Sequence, residues 1–306
     1  MLTPPAEEEV LSWFDSLSNW GRWGADDELG TLNLVTAEVR KRAAAAVNEG
    51  VSVSCSWPIP TGPQGLERVL TAVPRAPGVR LGYSSEHLTG LSFHGYAITH
   101  LDSLCHIFWD GKMYNGRSPE LVSDSGGAEA LAITAARQGA YTRGVLLDVA
   151  AVRGVRWLEP GEGVFPEDLD AAEARQGVRV EPGDGVLLRT GHGRFRHETG
   201  QTSAAERGIT QPGWHAAALP WLRARDAAFI GCDTANDVTP SGYPQMALPV
   251  HIIGLVAMGL WLLDNCDLEE LAATAERLSR WDFQLAVNPL PMAGLTGSPV
   301  NPIATF

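Results

Sequence analysis

The chain has 306 residues, of which 44% are hydrophobic and 19% are charged, and its formal net charge is −13. This composition is that of an ordinary globular protein, since a disordered chain has fewer apolar residues and more charge. A surface this acidic repels phosphate backbones and anionic lipid, so we expect neither nucleic acid nor a membrane surface as a partner. It places little restriction on a small-molecule substrate, because a local pocket can differ from the mean.

Cysteine usage and the chain start predict a reduced, cytoplasmic protein. The four cysteines, Cys55, Cys105, Cys232 and Cys266, show no C-x-x-C pairing and fit neither a zinc knuckle nor a disulfide framework. The N-terminus lacks the basic and apolar regions of a signal peptide. The longest apolar run, residues 247–263, contains a proline and a histidine and is short for a membrane span.

The first third of the chain predicts one helix, one strand and a long loop. A glycine-rich segment is followed by a helix from Thr36 to about Val47, which Gly50 ends. Residues 51–57 alternate between polar and apolar and predict a strand. Residues 58–80 are rich in proline and glycine and predict a long loop. We expect this loop and the N-terminal segment to contact the pocket or another subunit.

The rest of the chain alternates between predicted strands and helices. Short apolar runs bounded by turn residues predict buried strands at 144–150, 183–191 and 227–235. Predicted helices are at 166–176, 214–224, 249–265 and 268–280, the third apolar nearly all round and the fourth amphipathic. This alternation predicts an α/β fold, and the absence of a visible linker predicts a single domain over residues 1–306.

A cluster of chemically active residues lies between the predicted loop 58–80 and the first of these strands. Three of the eight histidines, His94, His100 and His106, fall within thirteen residues, together with Asp102 and Cys105. In an extended segment His100 and Asp102 would share one face, where imidazole and carboxylate suit Zn, Mn or Fe(II). His94 and His106 could join them only if the chain bends, and Cys105 would face away. A metal site, a metal-free acid/base site and hydrogen-bonded core histidines are all compatible with this spacing.

The segment 99–106, "THLDSLCH", resembles the HxGTHxDxPxH motif of the cyclase-like metal-dependent hydrolases. That family includes bacterial kynurenine formamidase, isatin hydrolase and proteins named polyketide cyclases. Several further segments, which together cover most of the chain, resemble one branch of the family: "WGRWGADDELGTLN", "FWDGKMYNG", "GVLLDVA", "LLRTGHG", "FIGCDTAND", "LPVHIIGLVAMGLWLLDN" and "TGSPVNPIATF". The resemblance implies a swivelling β/β/α-type domain with a mixed sheet or barrel flanked by helices, a divalent metal, Zn or Mn, and a homodimer or homotetramer.

The resemblance also implies roles for individual residues. His100 and Asp102 match two metal ligands of the motif, and His106 matches the acid/base histidine that ends it. His251 matches a later ligand. Asp264 stands near the position of a glutamate or glutamine; it either belongs to the site, as a metal ligand or behind the ligands, or caps the next helix.

The sequence departs from the motif at its first ligand. Four residues before His100 stands Tyr96 instead of histidine, and His94 lies two positions further upstream. We expect His94 to supply the missing metal ligand. Because neutral tyrosine is a poor ligand but a good hydrogen-bond donor, we expect Tyr96 to contact a substrate carbonyl.

Three further residues complete the predicted site. His192, in a glycine-flanked turn after a strand, and Trp23, in the glycine-rich opening segment, are candidate substrate contacts. Asp233 follows a buried strand, where α/β folds place ligands, and either orients a metal-binding histidine or caps the following turn.

These features predict a metal-dependent hydrolase that cleaves an amide or lactone bond of a small cyclic or aromatic substrate. One alternative is a cyclase or dehydratase of a secondary metabolite that uses His106 for acid/base chemistry. Another is a degenerate, non-catalytic member that binds a small ligand, which the substitution at Tyr96 favours.

Overall fold

The helices and strands of the protein were assigned from a computed structural model, which describes residues 3–59, 67–73, 83–200 and 210–306. The α-helices are α1 (Glu7–Ser16), α2 (Ala37–Ala45), α3 (Val149–Val152), α4 (Pro166–Gln176), α5 (His192–Thr199), α6 (Ala218–Ala224), α7 (Pro249–His251) and α8 (Glu269–Leu278). The strands are β1 (Ser52–Ser54), β2 (Glu67–Val73), β3 (Tyr83–Thr89), β4 (His100–Asp102), β5 (Val122–Ser123), β6 (Gly127–Ala128), β7 (Ala140–Asp148), β8 (Gly163–Val164), β9 (Gly185–Arg189), β10 (Gly213–Trp214), β11 (Phe229–Cys232), β12 (Trp261–Asp264), β13 (Asp282–Val287), β14 (Gly297–Pro299) and β15 (Ile303–Thr305). Short 3-10 helices lie at Gly30–Leu34, Tyr114–Gly116, Pro119–Leu121 and Ile133–Ala136.

One mixed sheet organises the described part of the chain. Its nine strands follow the order β1–β15–β13–β7–β9–β11–β12–β4–β14. The neighbours β7, β9, β11 and β12 pair in parallel, and the flanking strands pair antiparallel. A mixed α/β domain with a large sheet flanked by helices was predicted from the sequence, and the structure confirms it.

The central strands of the sheet were predictable because they are apolar and fully buried. Strands β9, β11 and β12 are buried along their whole length, as near-continuous apolar runs in a parallel sheet must be. Helix α4 begins at Pro166 and ends before Gly177 in a left-handed conformation, the arrangement that both residue types favour. Thr36 caps α2 by accepting a hydrogen bond from the Val39 amide.

The predicted helix 249–265 is wrong in its second half. Helix α7 continues as a π-helical turn, Ile252–Met258, and the chain then becomes strand β12. Gly259 has a φ of +60°, and a Cβ there would lie 2.5 Å from the Tyr114 ring, so the helix ends at this close contact. Apolar residues all round suit a buried strand as well as a buried helix, which is why periodicity misassigned this run.

The predicted loop 58–80 is also wrong in part. Residues 67–73 form β2, which pairs antiparallel with β3 in a two-stranded ribbon. The segments 60–66 and 74–80 lie outside the described residues. The expectation that this region contacts the pocket or another subunit stays a prediction. In the described residues, no helix is long and apolar enough to cross a bilayer.

Candidate metal centre

Strands β4 and β12 bring three of the predicted site residues together. The extended part of the motif is shorter than expected, because β4 comprises only His100–Asp102. His100 and Asp102 are two residues apart and share a face, and the antiparallel register places Asp264 opposite His100. Asp264 is therefore in a strand beside the ligand candidates. It does not cap the next helix, because α8 begins at Glu269 with Leu268 at its N-cap position.

The chain before β4 bends, which brings His94 to the same place. Gly95 has a φ of +136°, a conformation open to glycine. Across the site, Gly297 leaves room for the His94 ring, because a Cβ there would lie 2.9 Å from His94 Cε1. The bend that His94 needs in order to reach His100 and Asp102 is therefore present at Gly95. Cys105 is fully buried, with its thiol 3.1 Å from the Ser103 hydroxyl.

Two histidines and two carboxylates converge in the interior. His100 Nε2 lies 3.4 Å from Asp102 Oδ1 and 3.7 Å from Asp264 Oδ2. His251 Nε2 lies 3.5 Å from Asp102 Oδ2 and 3.4 Å from Asp264 Oδ2. All four residues are buried. Ligand atoms around a tetrahedral ion with bonds of about 2.0–2.1 Å are about 3.3–3.4 Å apart, so these spacings are close to those of a zinc site.

The free nitrogens of both histidines point at the carboxylates. His100 donates from Nδ1 to the Ile98 carbonyl at 2.8 Å. His251 donates from Nδ1 to Asp237 Oδ2 at 2.6 Å. With Nδ1 carrying the proton in each ring, Nε2 presents its lone pair toward Asp102 and Asp264 when the ring is neutral.

Asp237 is the residue that sequence reasoning missed. Besides the His251 ring, it accepts the backbone amides of Val250 at 2.7 Å and His251 at 3.0 Å, so it also caps α7. Asp233 was predicted either to orient a metal-binding histidine or to cap the following turn; it accepts hydrogen bonds from the backbone amides of residues 190–192. Both aspartates occur in "CDTAND", and only the fold decides which one faces His251.

Asp102 is the electrostatic centre of the site. Both of its carboxylate oxygens are buried without a hydrogen-bond partner among the described residues. Burial would raise the pKa of the Asp102 carboxyl, but the surrounding imidazoles of His106 and His100 outweigh it and hold that pKa well below its usual range. A buried ionised carboxylate without donors requires a neighbouring positive charge, which a protonated imidazole or a metal ion can supply.

The carboxylates of the site raise the pKa values of His100 and His251. Burial lowers the pKa of His100, yet the charges of Asp102 and Asp264 exceed this effect and raise it to about 9. The pKa of His251 is likewise raised well above its usual value, mainly by Asp264 acting against burial. In the absence of a metal, protons therefore occupy the positions where a cation would bind.

His106 differs from the other two histidines. Its Nε2 lies 3.9 Å from Asp102 Oδ2, and its side chain is 25% exposed. Burial lowers its pKa to about 4, although Asp102 opposes this. His106 is therefore neutral at physiological pH and able to accept a proton.

A small open cavity of about 90 Å³ lies at this centre. Its lining residues are Gly95, Tyr96, His100, His106, Ala235, Leu248, His251 and Asp264. Burial raises the pKa of the Tyr96 phenol, so Tyr96 faces the cavity as a neutral hydrogen-bond donor.

Two predicted substrate contacts lie elsewhere among the described residues. Trp23 is absent from the cavity lining, and Arg22 lies over its ring at 4.7 Å. His192 is also absent from the lining; it is buried and stacks on Phe195 at 5.4 Å. Their roles in substrate binding stay predictions.

A family model described as "Putative cyclase" matches residues 27–236, more than half of the chain. The chain belongs to this cyclase family. The matched range includes residues 94–106. Asp237 is the next residue after it, and His251 and Asp264 lie further along the chain. The family resemblance noted in the sequence is therefore confirmed.

Solved structures show the same fold. A crystal structure described as a novel cyclase is 27% identical, with a TM-score of 0.82, over 94% of this chain and 99% of that chain. Isatin hydrolase A from Labrenzia aggregata, bound to benzyl benzoate, is 18% identical, with a TM-score of 0.56, over 86% of this chain and 94% of that one. Isatin hydrolase A from Ralstonia solanacearum is 20% identical, with a TM-score of 0.55, over 88% of this chain and 95% of that chain. No curated protein sequence matched.

The residues of this site fit a divalent metal. The Asp102 oxygens lack hydrogen-bond donors among the described residues, and the two Nε2 atoms face carboxylates while each Nδ1 is hydrogen-bonded. Imidazole nitrogen with carboxylate oxygen is a ligand set that zinc and manganese both accept.

Proposed function

We propose that this protein is a metal-dependent hydrolase that cleaves an amide or lactone bond of a small cyclic or aromatic substrate. The observation that carries the proposal is the convergence of His100, Asp102, His251 and Asp264 beside a cavity that His106 also lines. These four residues would hold the metal. When bound, a divalent metal polarises a carbonyl and lowers the pKa of water toward neutrality.

The chain's own residues would supply the proton transfers and the orientation. Neutral His106 accepts the proton of the attacking water at its free ring nitrogen and then donates it to the leaving nitrogen or oxygen. Tyr96, on the cavity wall, donates a hydrogen bond to the substrate carbonyl. Asp237 holds the His251 ring in one tautomer.

Metal analysis and a substrate screen test the proposal. The protein would be purified without chelator, its zinc and manganese counted by elemental analysis, and formanilides, isatin and lactones assayed. We expect at least one equivalent of metal and activity that chelator abolishes. Less than about a tenth of an equivalent, with activity unchanged in chelator, would exclude the metal-dependent reaction.

A cyclase or dehydratase activity is the second candidate. It is favoured by the 27% identity over nearly the whole chain to a structure described as a novel cyclase. In this case His106 would take a proton from the substrate and return it to another atom of the same molecule in ring closure, or to the departing hydroxyl, which leaves as water, in dehydration; no water would be consumed. Replacing His106 with alanine should abolish turnover in both cases, and incorporation of oxygen from labelled water should occur only in hydrolysis. Ligand binding without any turnover would instead indicate a non-catalytic member.

Homo-oligomerisation and a cytoplasmic location are also part of the proposal. Four free, buried cysteines are compatible with a reducing compartment. Light scattering coupled to size exclusion would distinguish a monomer of 32.8 kDa from the proposed dimer or tetramer.

A further inference from the structure

His94 lies flat against His106 at the edge of the proposed metal centre. Their ring centroids are 3.9 Å apart, and their planes differ by 2°. The side chains are 28% and 25% exposed, so the stacked pair is partly accessible to solvent.

Both ring nitrogens of His94 face fixed neighbours. Nε2 lies 2.9 Å from the Thr296 hydroxyl, and Nδ1 lies 3.0 Å from Asp102 Oδ1. The Thr296 carbonyl accepts the amide of Ser103, which ties this segment to the end of β4. Gly297, without a side chain, leaves the space that the ring fills. The His94 plane is therefore set by contacts on three sides.

The stacking argues against a shared ion between His94 and His106. An imidazole binds metal along a lone pair that lies in its ring plane. Two stacked rings hold their lone pairs in parallel planes, so one ion cannot lie in both ring planes.

We infer that His94 is a positioning residue that holds the plane of His106 beside the metal. This inference rests on the proposed proton transfer by His106. His94, two residues before Tyr96, thus acts on the acid/base residue His106.

Four variants test the inference: His94→Ala, His94→Phe, Thr296→Val and His106→Ala. Each would be loaded with zinc and compared with the unaltered protein for metal content, for the ¹H–¹³C signals of His106 in histidine-labelled protein, and for kcat and KM on a substrate found in the screen above.

We expect His94→Ala to retain its zinc, to lose the ring-current shift of His106 and to lower kcat about tenfold to a hundredfold with little change in KM. His94→Phe, which keeps a flat ring, should restore most of both the shift and kcat. Thr296→Val, which only frees the ring, should give a smaller loss in the same direction. If His94→Ala folds poorly, Thr296→Val still tests whether the orientation of the His94 ring affects His106.

Loss of zinc in both His94 variants would overturn the inference and make His94 a ligand. An unchanged His106 signal in His94→Ala would overturn it as well. Full turnover by His106→Ala would show instead that the proposed role of His106 fails. The zinc content and the His106 signals require no turnover, so they decide whether His94 binds metal and holds the ring even if no substrate is found.

Discussion

A single carboxylate, Asp237, connects the metal centre to the start of a helix. Its Oδ2 receives both the backbone amide and the ring N–H of His251, and its Oδ1 receives the amide of Val250. Asp237 therefore fixes the ring orientation and the backbone of the same ligand candidate. Such outer carboxylates commonly control metal affinity without touching the ion.

Replacing Asp237 with asparagine should weaken zinc binding about tenfold to a hundredfold, because the amide no longer holds the His251 tautomer with its charge. Competition with a chromophoric chelator measures the affinity. The matched control is Asp233→Asn, which alters a buried aspartate that binds only the backbone and hydroxyl of residues 190–192 and the Cys232 thiol. This control should lower stability and leave zinc affinity unchanged. Equal affinities of Asp237→Asn and the unaltered protein would contradict the role given to Asp237.

Metal affinity should also depend on pH. The pKa of His100 is raised to about 9, so its Nε2 carries a proton at pH 7 in the metal-free protein. Because a metal must displace this proton, affinity should rise with pH up to about 9 and level off above it. Calorimetry in buffers of different ionisation enthalpy would count the released protons. Proton release of zero at pH 7 would show that the imidazole is already neutral there.

At the scale of secondary structure, a buried arginine connects two strands and a helix. Arg189, at the end of β9, pairs with Asp148 at the end of β7 through a 2.9 Å contact. It also makes two hydrogen bonds to Glu269 in the first turn of α8, at 3.0 and 2.8 Å. The Arg189 side chain is 6% exposed, so these charges depend on one another for compensation.

Replacing Arg189 with methionine should lower the free energy of unfolding by about 3–5 kcal/mol, because it leaves buried carboxylates without their main partner. Urea unfolding measures this change. Arg156→Met is the matched control, since Arg156 pairs with Glu198 on the surface, where the side chains are 62% and 39% exposed. The control should change stability by at most about 1 kcal/mol. Similar losses in both variants would show that the network adds no more than a surface pair.

At the scale of the whole molecule, the proposed metal centre joins segments that are far apart in the chain. Its residues come from β4, α7 and β12, which are separated by about 150 residues of sequence between Asp102 and His251. An ion bound to all three would stabilise the folded state and not the unfolded chain.

Chelation should therefore lower the melting temperature of the purified protein. Free zinc at about a thousand times its dissociation constant stabilises a protein by about 4 kcal/mol, which is lost when the metal is removed. Differential scanning calorimetry with and without chelator measures the shift. A His100→Ala, His251→Ala double variant should melt at a temperature that chelator does not change. An equal shift in that variant would place the stabilising ion elsewhere.

Local signals explain which helices and strands could be predicted from the sequence. Thr36, Pro166 and Gly177 fix helix ends through side-chain capping and backbone conformation, which depend on nearby residues alone. The apolar runs 144–150, 183–191 and 227–235 contain the cores of β7, β9 and β11. By contrast, the run 249–265 changes from helix to strand where Gly259 meets the Tyr114 ring, a contact between residues 145 positions apart that no local pattern reveals.

In the candidate site, too, some features follow from local sequence and others from the tertiary structure. The sequence by itself determined that His100 and Asp102 share a face, because strand residues two apart always do, and the motif marked His106 and His251. Only the tertiary structure decided that Asp264 lies opposite His100, that Asp237 and not Asp233 meets His251, and that His94 stacks on His106. These contacts depend on strand register, loop path and the bend at Gly95, which are set by packing across the whole domain and not by spacing along the chain.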